Sequence, residues 1–330
     1  MLTLYSAGPQ GLQHLHAEPI AAGLDSKITW IDLLEPTAEE EKAVENALQI
    51  DVPTREEMSE LEASARLYEE NDCLFMTATL VTKLDTDTPQ NSQVTFILSK
   101  DRLVTNRYAD PVPFRRFIAY AETHPATCAS PATLLTGLLE SIVDRLAESL
   151  EKIGINLDGV STDIFTPQMR RSAGRRNAGR RDFNKILDRV GSSGDVISKA
   201  RESLVSLGRL LAFLQQSTVV TLPQEQRNRC RTISRDVLSL SDHASFLANK
   251  VTFLLDATLG MINIEQNNIL KIFSVVTVFL LPPSLIAGIF GMNFHMMPLL
   301  QQPEGFWITG GLMLASMLVP YFYFRHRGWL

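Results

Sequence analysis

The residues Asn267, Leu270, Ser274, Thr277, Leu281, Ser284 and Gly288 recur every three or four positions, so on a helix they share one face. Most are small or polar, while the positions between them are bulky and apolar. A pore lined by these positions would present a row of amide and hydroxyl groups. Leu270 and Leu281 would interrupt that row with apolar rings of the kind that close a pore by dewetting. The same spacing of Ser, Thr and Gly also serves close approach between membrane helices, and spacing alone leaves both readings open. Just beyond lies "GIFGMNFHMMP", which holds Gly291, Met292, Asn293 and His295 and no carboxylate.

The elements that must position these residues are apolar. "IFSVVTVFLLPPSLIAGIF", from Ile272 to Phe290, and "GFWITGGLMLASMLVPYFYF", from Gly305 to Phe324, run about 19 and about 20 residues without a charge, each enough to cross a bilayer core. Buried core helices of a soluble protein are usually shorter and amphipathic. Lys271 precedes the first span, Arg325, His326 and Arg327 follow the second, and no Lys or Arg lies between them. By the positive-inside rule both ends face the cytosol and the intervening loop faces out. The expected layout is a first span at about 269–290, an outer loop at 291–304, a second span at about 305–324 and a tail at 325–330. Two spans cannot enclose a polar path by themselves, so transport requires several copies around an axis, with closed cyclic symmetry.

Ahead of the spans the chain reads as two regions. Residues 1–128 mix strand-like runs ("KITWIDLL", "CLFMTATLV", "SQVTFILS", "RLVTNRY") with helical ones ("TAEEEKAVENAL", "PFRRFIAYAETH"), which predicts an α/β domain. Thr37 and Glu40 have the spacing of a capping box. Residues 129–268 lose the strand pattern: Pro131 opens a long amphipathic helix, a second covers roughly 182–216, and a third begins near Arg227 and enters the first span without a break. Some sixty helical residues would extend about 90 Å.

Composition excludes several function classes. The formal charge of −6 over 330 residues gives no global basic footprint for nucleic acid. Cys73, Cys128 and Cys230 lie far apart, with no metal or disulfide spacing, which suits a reducing compartment. "MLTLYSAGPQ" lacks the basic flank and apolar core of a secretory signal. There is no P-loop, GxSxG or HExxH motif, and the six histidines form no ligand pattern, so no enzyme is expected. A membrane-anchored scaffold would share the layout but would need no hydroxyl stripe.

The tripeptide Gly291-Met292-Asn293 at the end of the first span resembles the hallmark of the CorA family of divalent-cation channels. The resemblance extends through "INIEQNNILKIFSVV", Pro282-Pro283, FGMNF, Met297-Pro298 and "PYFYFRHRGWL". It continues more loosely in "WIDLLEP" and "LEASARLYEE" near the start. It implies an α+β membrane protein: a cytosolic α/β domain, a long helical stalk and a two-helix transmembrane hairpin, assembled as a funnel-shaped homopentamer in the bacterial inner membrane. It implies Mg2+ as transported and regulatory ion, with Co2+ and Ni2+ also passed. Gly291, Met292 and Asn293 would form the selectivity ring, with Asn293 and Gly291 holding the hydrated ion. Mg2+ gives up water reluctantly, so neutral oxygens can select it hydrated.

By position in the family, Asn267 matches a polar ring, Leu281 a bulky ring, Ser284 a hydroxyl position below the mouth and Asp256 an acidic ring. Phe273 matches a hydrophobic constriction, although spacing puts Ser274 on the stripe. Closure by internal Mg2+ nominates Asp236 and Asp242, with partners around Glu60, Glu62, Glu69 and Glu70; each also reads as an ordinary solvated charge.

Two departures stand out. Where many relatives carry glutamates after the tripeptide, this chain has His295 and Leu299, with only Glu304 nearby. That weakens electrostatic concentration of cations. It makes pH modulation through His295 an expectation, and it is shared with the zinc-transporting ZntB branch, so proton-coupled Zn2+ transport is the alternative. The second departure is "MRRSAGRRNAGRRDF", with Arg170, Arg171, Arg175, Arg176, Arg180 and Arg181. It reads as a contact for anionic lipid headgroups or nucleic acid, or as a solvated turn, and lack of aromatic interleaving argues against single-stranded nucleic acid in particular.

Overall fold

The structure, a computed structural model, describes residues 1–15, 25, 27–60, 62–84, 86, 88–166, 182–292 and 304–327. The chain divides into two compact units, Met1–Asp256 and Ala257–Leu330.

In the first unit the strands are β1 (Leu2–Gly8), β2 (Gly11–Leu15), β3 (Ile28–Leu34), β4 (Leu67–Glu70), β5 (Cys73–Thr82), β6 (Gln90–Leu98) and β7 (Leu103–Arg107). They form one sheet in the order β2-β1-β3-β7-β6-β5-β4. Among the described residues only the β3–β7 pair is parallel, with Trp30 opposite Leu103 and Leu34 opposite Arg107. The helices of this unit begin with α1 (Ala38–Leu48), α2 (Arg55–Met58), α3 (Ala63–Arg66) and α4 (Val112–Ala121), followed by a 3-10 turn at Pro125–Cys128. Then come α5 (Pro131–Phe165) and α6 (Phe183–Gln216), and α7 (Gln224–Phe290) starts in this unit and runs on into the second. The Thr37–Glu40 capping box is present, and Ser130 caps α5 with Pro131 in its first turn.

Alternation along β3 explains how the sheet is covered. Ile31 and Leu33 join Leu4, Phe75, Ile97 and Val44 of α1 in one fully apolar cluster. Trp30 and Asp32 face the other way, as successive strand residues must, and there Trp30 packs near Phe117 of α4. Trp30 donates from Nε1 to Thr105 Oγ1 at 3.0 Å, and Thr105 donates to Asp32 Oδ1 at 2.6 Å. Arg107 closes the chain with Nη2 at 2.8 Å from Asp32 Oδ2, its guanidinium 4.6 Å from the Phe114 ring centre. The parallel register places Arg107 within reach of Asp32, so two charges that would be costly alone are paired and hydrogen-bonded.

The long helices pack through pairs that report direction. Thr133 bonds Gln226, Asp158 bonds Lys250 and Phe165 stacks near Phe253, so α5 and the first part of α7 run parallel. Asn156 meets Ser193 while Asp163 meets Arg189, so α5 and α6 run antiparallel. The polar contacts sit on the flanks of apolar stripes such as Leu150, Leu157, Val160 and Ile164, all buried, as the three- and four-residue periodicity requires.

The second unit contains the rest of α7 and α8 (Gly305–His326). The ring of Phe279 lies 6.3 Å from Tyr321 and 6.4 Å from Phe324. Pro282 and Pro283 lie inside α7, and the helix continues through them to Phe290.

Candidate functional site

The end of α7 presents the stripe as one continuous surface. Asn267, Leu270, Ser274, Thr277, Leu281, Ser284 and Gly288 are all exposed on the single chain. At about 100° per residue, Phe279 lies about 160° from Leu281, while every stripe residue lies within about 60° of it. The stripe is therefore on the side of α7 away from the Phe279 contacts with α8. Phe273 is exposed too and falls about 80° from Leu281, at the flank of the stripe on the Thr277 side.

The hydroxyls have a defined polarity. Ser274 donates to the Leu270 carbonyl at 2.9 Å and Thr277 to the Phe273 carbonyl at 2.8 Å, and Ser284 donates to the Leu280 carbonyl. Ser and Thr inside helices commonly bond back in this way. With its one proton engaged, each of these three hydroxyls turns only lone pairs outward and accepts hydrogen bonds, while Asn267 at the start of the stripe carries both an amide acceptor and amide donors. Water bound to a cation points its protons away from the ion, and acceptors of this kind match that shell.

At the helix end, Gly291 N–H still reaches the Ala287 carbonyl at 2.9 Å and Met292 N–H the Ile289 carbonyl at 3.3 Å. A Cβ built on Gly291 would stand 3.0 Å from the Ala287 carbonyl oxygen, so a side chain there would need that carbonyl to give by a few tenths of an ångström. Gly291 and Met292 are exposed. Asn293, His295 and Leu299 lie outside the described residues, as do the six arginines from Arg170 to Arg181.

The apolar character of the two spans faces outward. No residue of the most apolar stretch of α7 is buried, and only 6% of that of α8 is, whereas core helices of soluble proteins are mostly covered. Leu280, Leu285, Trp307, Leu314, Val319 and Phe322 are among the exposed side chains. Both helices are long and apolar enough to cross a membrane, and each leaves an apolar surface that lipid or neighbouring helices would have to cover.

The expected acidic sites are less gathered. Asp256, Asp236 and Asp242 are exposed on α7, and Glu60, Glu62, Glu69 and Glu70 are exposed near β4. Among the described residues no three His, Cys, Asp or Glu side chains form a metal-binding group. Asp236 does have a neighbour that the sequence reading missed: Asp144 of α5. Burial and the charges of Glu140, Glu148 and Asp236 push the Asp144 carboxyl above its ordinary value. The pairing of α5 with α7 creates this contact, and no local pattern reveals it. The three cysteines are free and buried, and burial pushes the Cys230 thiol up to about 11.

A family model described as "CorA-like Mg2+ transporter protein" matches residues 25–326. The magnesium transport protein CorA of Haemophilus influenzae is 35% identical over 303 residues, 91% of this chain and 92% of that protein. The protein of the same name from Mannheimia succiniciproducens is 34% identical over 305 residues, 92% of this chain and 93% of its own length. In fold, the chain is similar to the complete CorA magnesium transporter from Methanocaldococcus jannaschii, with a TM-score of 0.76 at 20% identity, covering 100% of this chain and 99% of that one. With the model spanning nearly all of the sequence and relatives of this identity along its length, the chain belongs to the CorA-like Mg2+ transporter family.

Proposed function

We propose that this chain passes Mg2+ across the bacterial inner membrane through a homopentamer, in which α7 lines the path and the outer mouth is a ring of Gly291, Met292 and Asn293. The observation that carries the reading is the row of Ser274, Thr277 and Ser284 hydroxyls on α7, each presenting only acceptor lone pairs, exposed on the side away from the Phe279–α8 contacts. Around an axis, copies of that stripe would surround a hydrated cation with lone pairs, while Leu270, Leu281 and Phe273 supply apolar constrictions. Asn293 and Gly291 hold the ion with its water, and Asp256 forms an acidic ring further along. Residues 1–128 form the cytosolic α/β domain, 129–268 the helices leading to the membrane and 269–330 the membrane part, with both termini cytosolic and lipid around the spans. Internal Mg2+ closes the channel at sites that include Asp236 and Asp242. Co2+ and Ni2+ follow the same route, because selection acts on a hydrated divalent ion and not on its bare radius.

The test is uptake into proteoliposomes under an inside-negative voltage, with Mg2+, Co2+, Ni2+ and Zn2+ each measured with and without a pH gradient. The expected result is Mg2+ uptake that persists when the gradient is collapsed. Uptake of Zn2+ that disappears with the gradient would establish the proton-coupled alternative, for which the lack of carboxylate between Asn293 and Leu299 is the supporting feature. Absence of uptake for all four ions would refute transport.

A further inference from the structure

Within the first unit, α6, the middle of β5 and Arg66 of α3 line an open pocket of about 410 Å³, to which α6 contributes Arg201 and Arg209. Its size falls in the range of small-molecule sites, about 300–1,000 Å³. Ser198, Arg201, Val205 and Arg209 recur at helical spacing, so one face of α6 supplies them.

The lining is rich in donors. Thr79, in β5 beyond the last residue paired with β4, donates its backbone N–H to Ser206 Oγ at 2.9 Å. Ser206 has thus spent an acceptor site and keeps its proton to offer. Arg66 donates from Nη1 to Thr79 Oγ1 at 3.2 Å and from Nε to the Glu60 carbonyl, leaving the Thr79 proton and the remaining Arg66 N–H groups to offer. Thr77 shares a 2.7 Å bond with Thr95. Arg201 and Arg209 are exposed and pair with no carboxylate among the described residues. The one acid in the lining, Glu202, accepts from Asn91 Nδ2 at 2.6 Å. Three guanidiniums against one carboxylate, in a chain whose formal charge is −6, make this a local reversal of the molecule's sign.

We infer that this cavity binds a soluble phosphate-bearing anion of nucleotide size. Guanidiniums match phosphate oxygens in paired geometry, and hydroxyl donors complete their coordination. A lone phosphate would fill only part of the space, so the chemistry favours a di- or polyphosphate or its ester. The inference is independent of the transport reading, because none of these residues lies on the stripe.

The experiment is isothermal titration calorimetry of the full-length protein in detergent, with EDTA present, using sodium pyrophosphate, inorganic phosphate and adenosine diphosphate as probes. Saturable binding of pyrophosphate and the diphosphate, stronger than that of inorganic phosphate and weakened by added salt, is expected. Arg201→Gln and Arg209→Gln each weaken it roughly tenfold or more. Arg235→Gln, an exposed arginine on α7 away from the cavity, leaves it unchanged. Both cavity arginines are exposed, so their variants should keep the wild-type melting temperature. Failure of pyrophosphate and the diphosphate to bind the wild-type protein overturns the inference, as does binding that survives both substitutions at full strength.

Discussion

Thr277→Val separates the two uses of the stripe, because valine keeps the shape of threonine and discards its oxygen. Thr277 Oγ1 gives its proton to the Phe273 carbonyl at 2.8 Å, so what the substitution removes from the path is a pure acceptor. In the proposed pentamer an ion passing off-axis meets about two of these oxygens at once. Each hydrogen bond from polarised water is worth about 1 kcal/mol net, so losing two raises the barrier by about 2 kcal/mol and slows passage about 30-fold. The assay is initial Mg2+ uptake into proteoliposomes, normalised to assembled protein measured by size-exclusion chromatography. Thr277→Ser, which restores the hydroxyl, should return most of the rate. Val276→Thr, one residue round the helix and away from the stripe, should leave it unchanged. If the stripe only lets helices approach, Thr277→Val should change uptake little, because the side chain keeps its size and the hydrogen bond it loses lies within its own helix. Uptake within about twofold of wild type in an intact assembly would therefore refute the acceptor argument, since that argument requires about 30-fold.

Asn293→Ala should abolish Mg2+ uptake while leaving the oligomer intact on a sizing column; retained uptake would remove the tripeptide from selection. Asp32→Asn leaves the Arg107 guanidinium buried with only Asp110, 2.8 Å away, to offset it. A loss of about 3 kcal/mol in denaturant unfolding, the lower end for a broken buried pair, is expected, and a change under about 1 kcal/mol would contradict it. Hydrogen bonds from Arg116 and Arg145 hold the Glu148 carboxyl below its ordinary value of 4.5. Its contribution is therefore present above that value and lost as pH falls through the depressed one. Glu148 is largely solvent-screened, so Glu148→Gln should flatten the acid limb of stability against pH by roughly half a kcal/mol at most, and an unchanged limb would count against the pairing.

What could be read from the sequence followed from how local the signal was. The helices from Pro131 onward and the stripe of α7 depend on spacings of three and four within one element, and both are present as expected. The strands β3, β5, β6 and β7 are rich in β-branched and apolar residues and were legible for that reason. The hairpin of β1 and β2 and the edge strand β4 were not. Gly11 makes its turn with φ +137°, and Leu67–Glu70 carries two glutamates at a sheet edge, where a polar strand is tolerated and sends no hydrophobic signal. Asp32 with Arg107, Asp144 with Asp236, and Arg66 with Arg201 were invisible because each pair is made by tertiary packing of distant segments. Asn293 was recognised through its motif, and it lies outside the described residues.

The proline pair of α7 has a mechanical consequence. Without an N–H at Pro282 and Pro283, the carbonyls of Val278 and Phe279 have no helical donor, and the segment beyond them is held to the rest of the helix by fewer bonds. Bending there is correspondingly cheap. From Pro283 to Gly291 the helix forms a lever about 12 Å long, and a tilt of about 10° at its base sweeps its tip through about 2 Å. That displacement exceeds the radius of a water molecule, about 1.4 Å. In the proposed channel the mouth would therefore change by a hydration-scale step while Asn267 to Leu281 stay where they are.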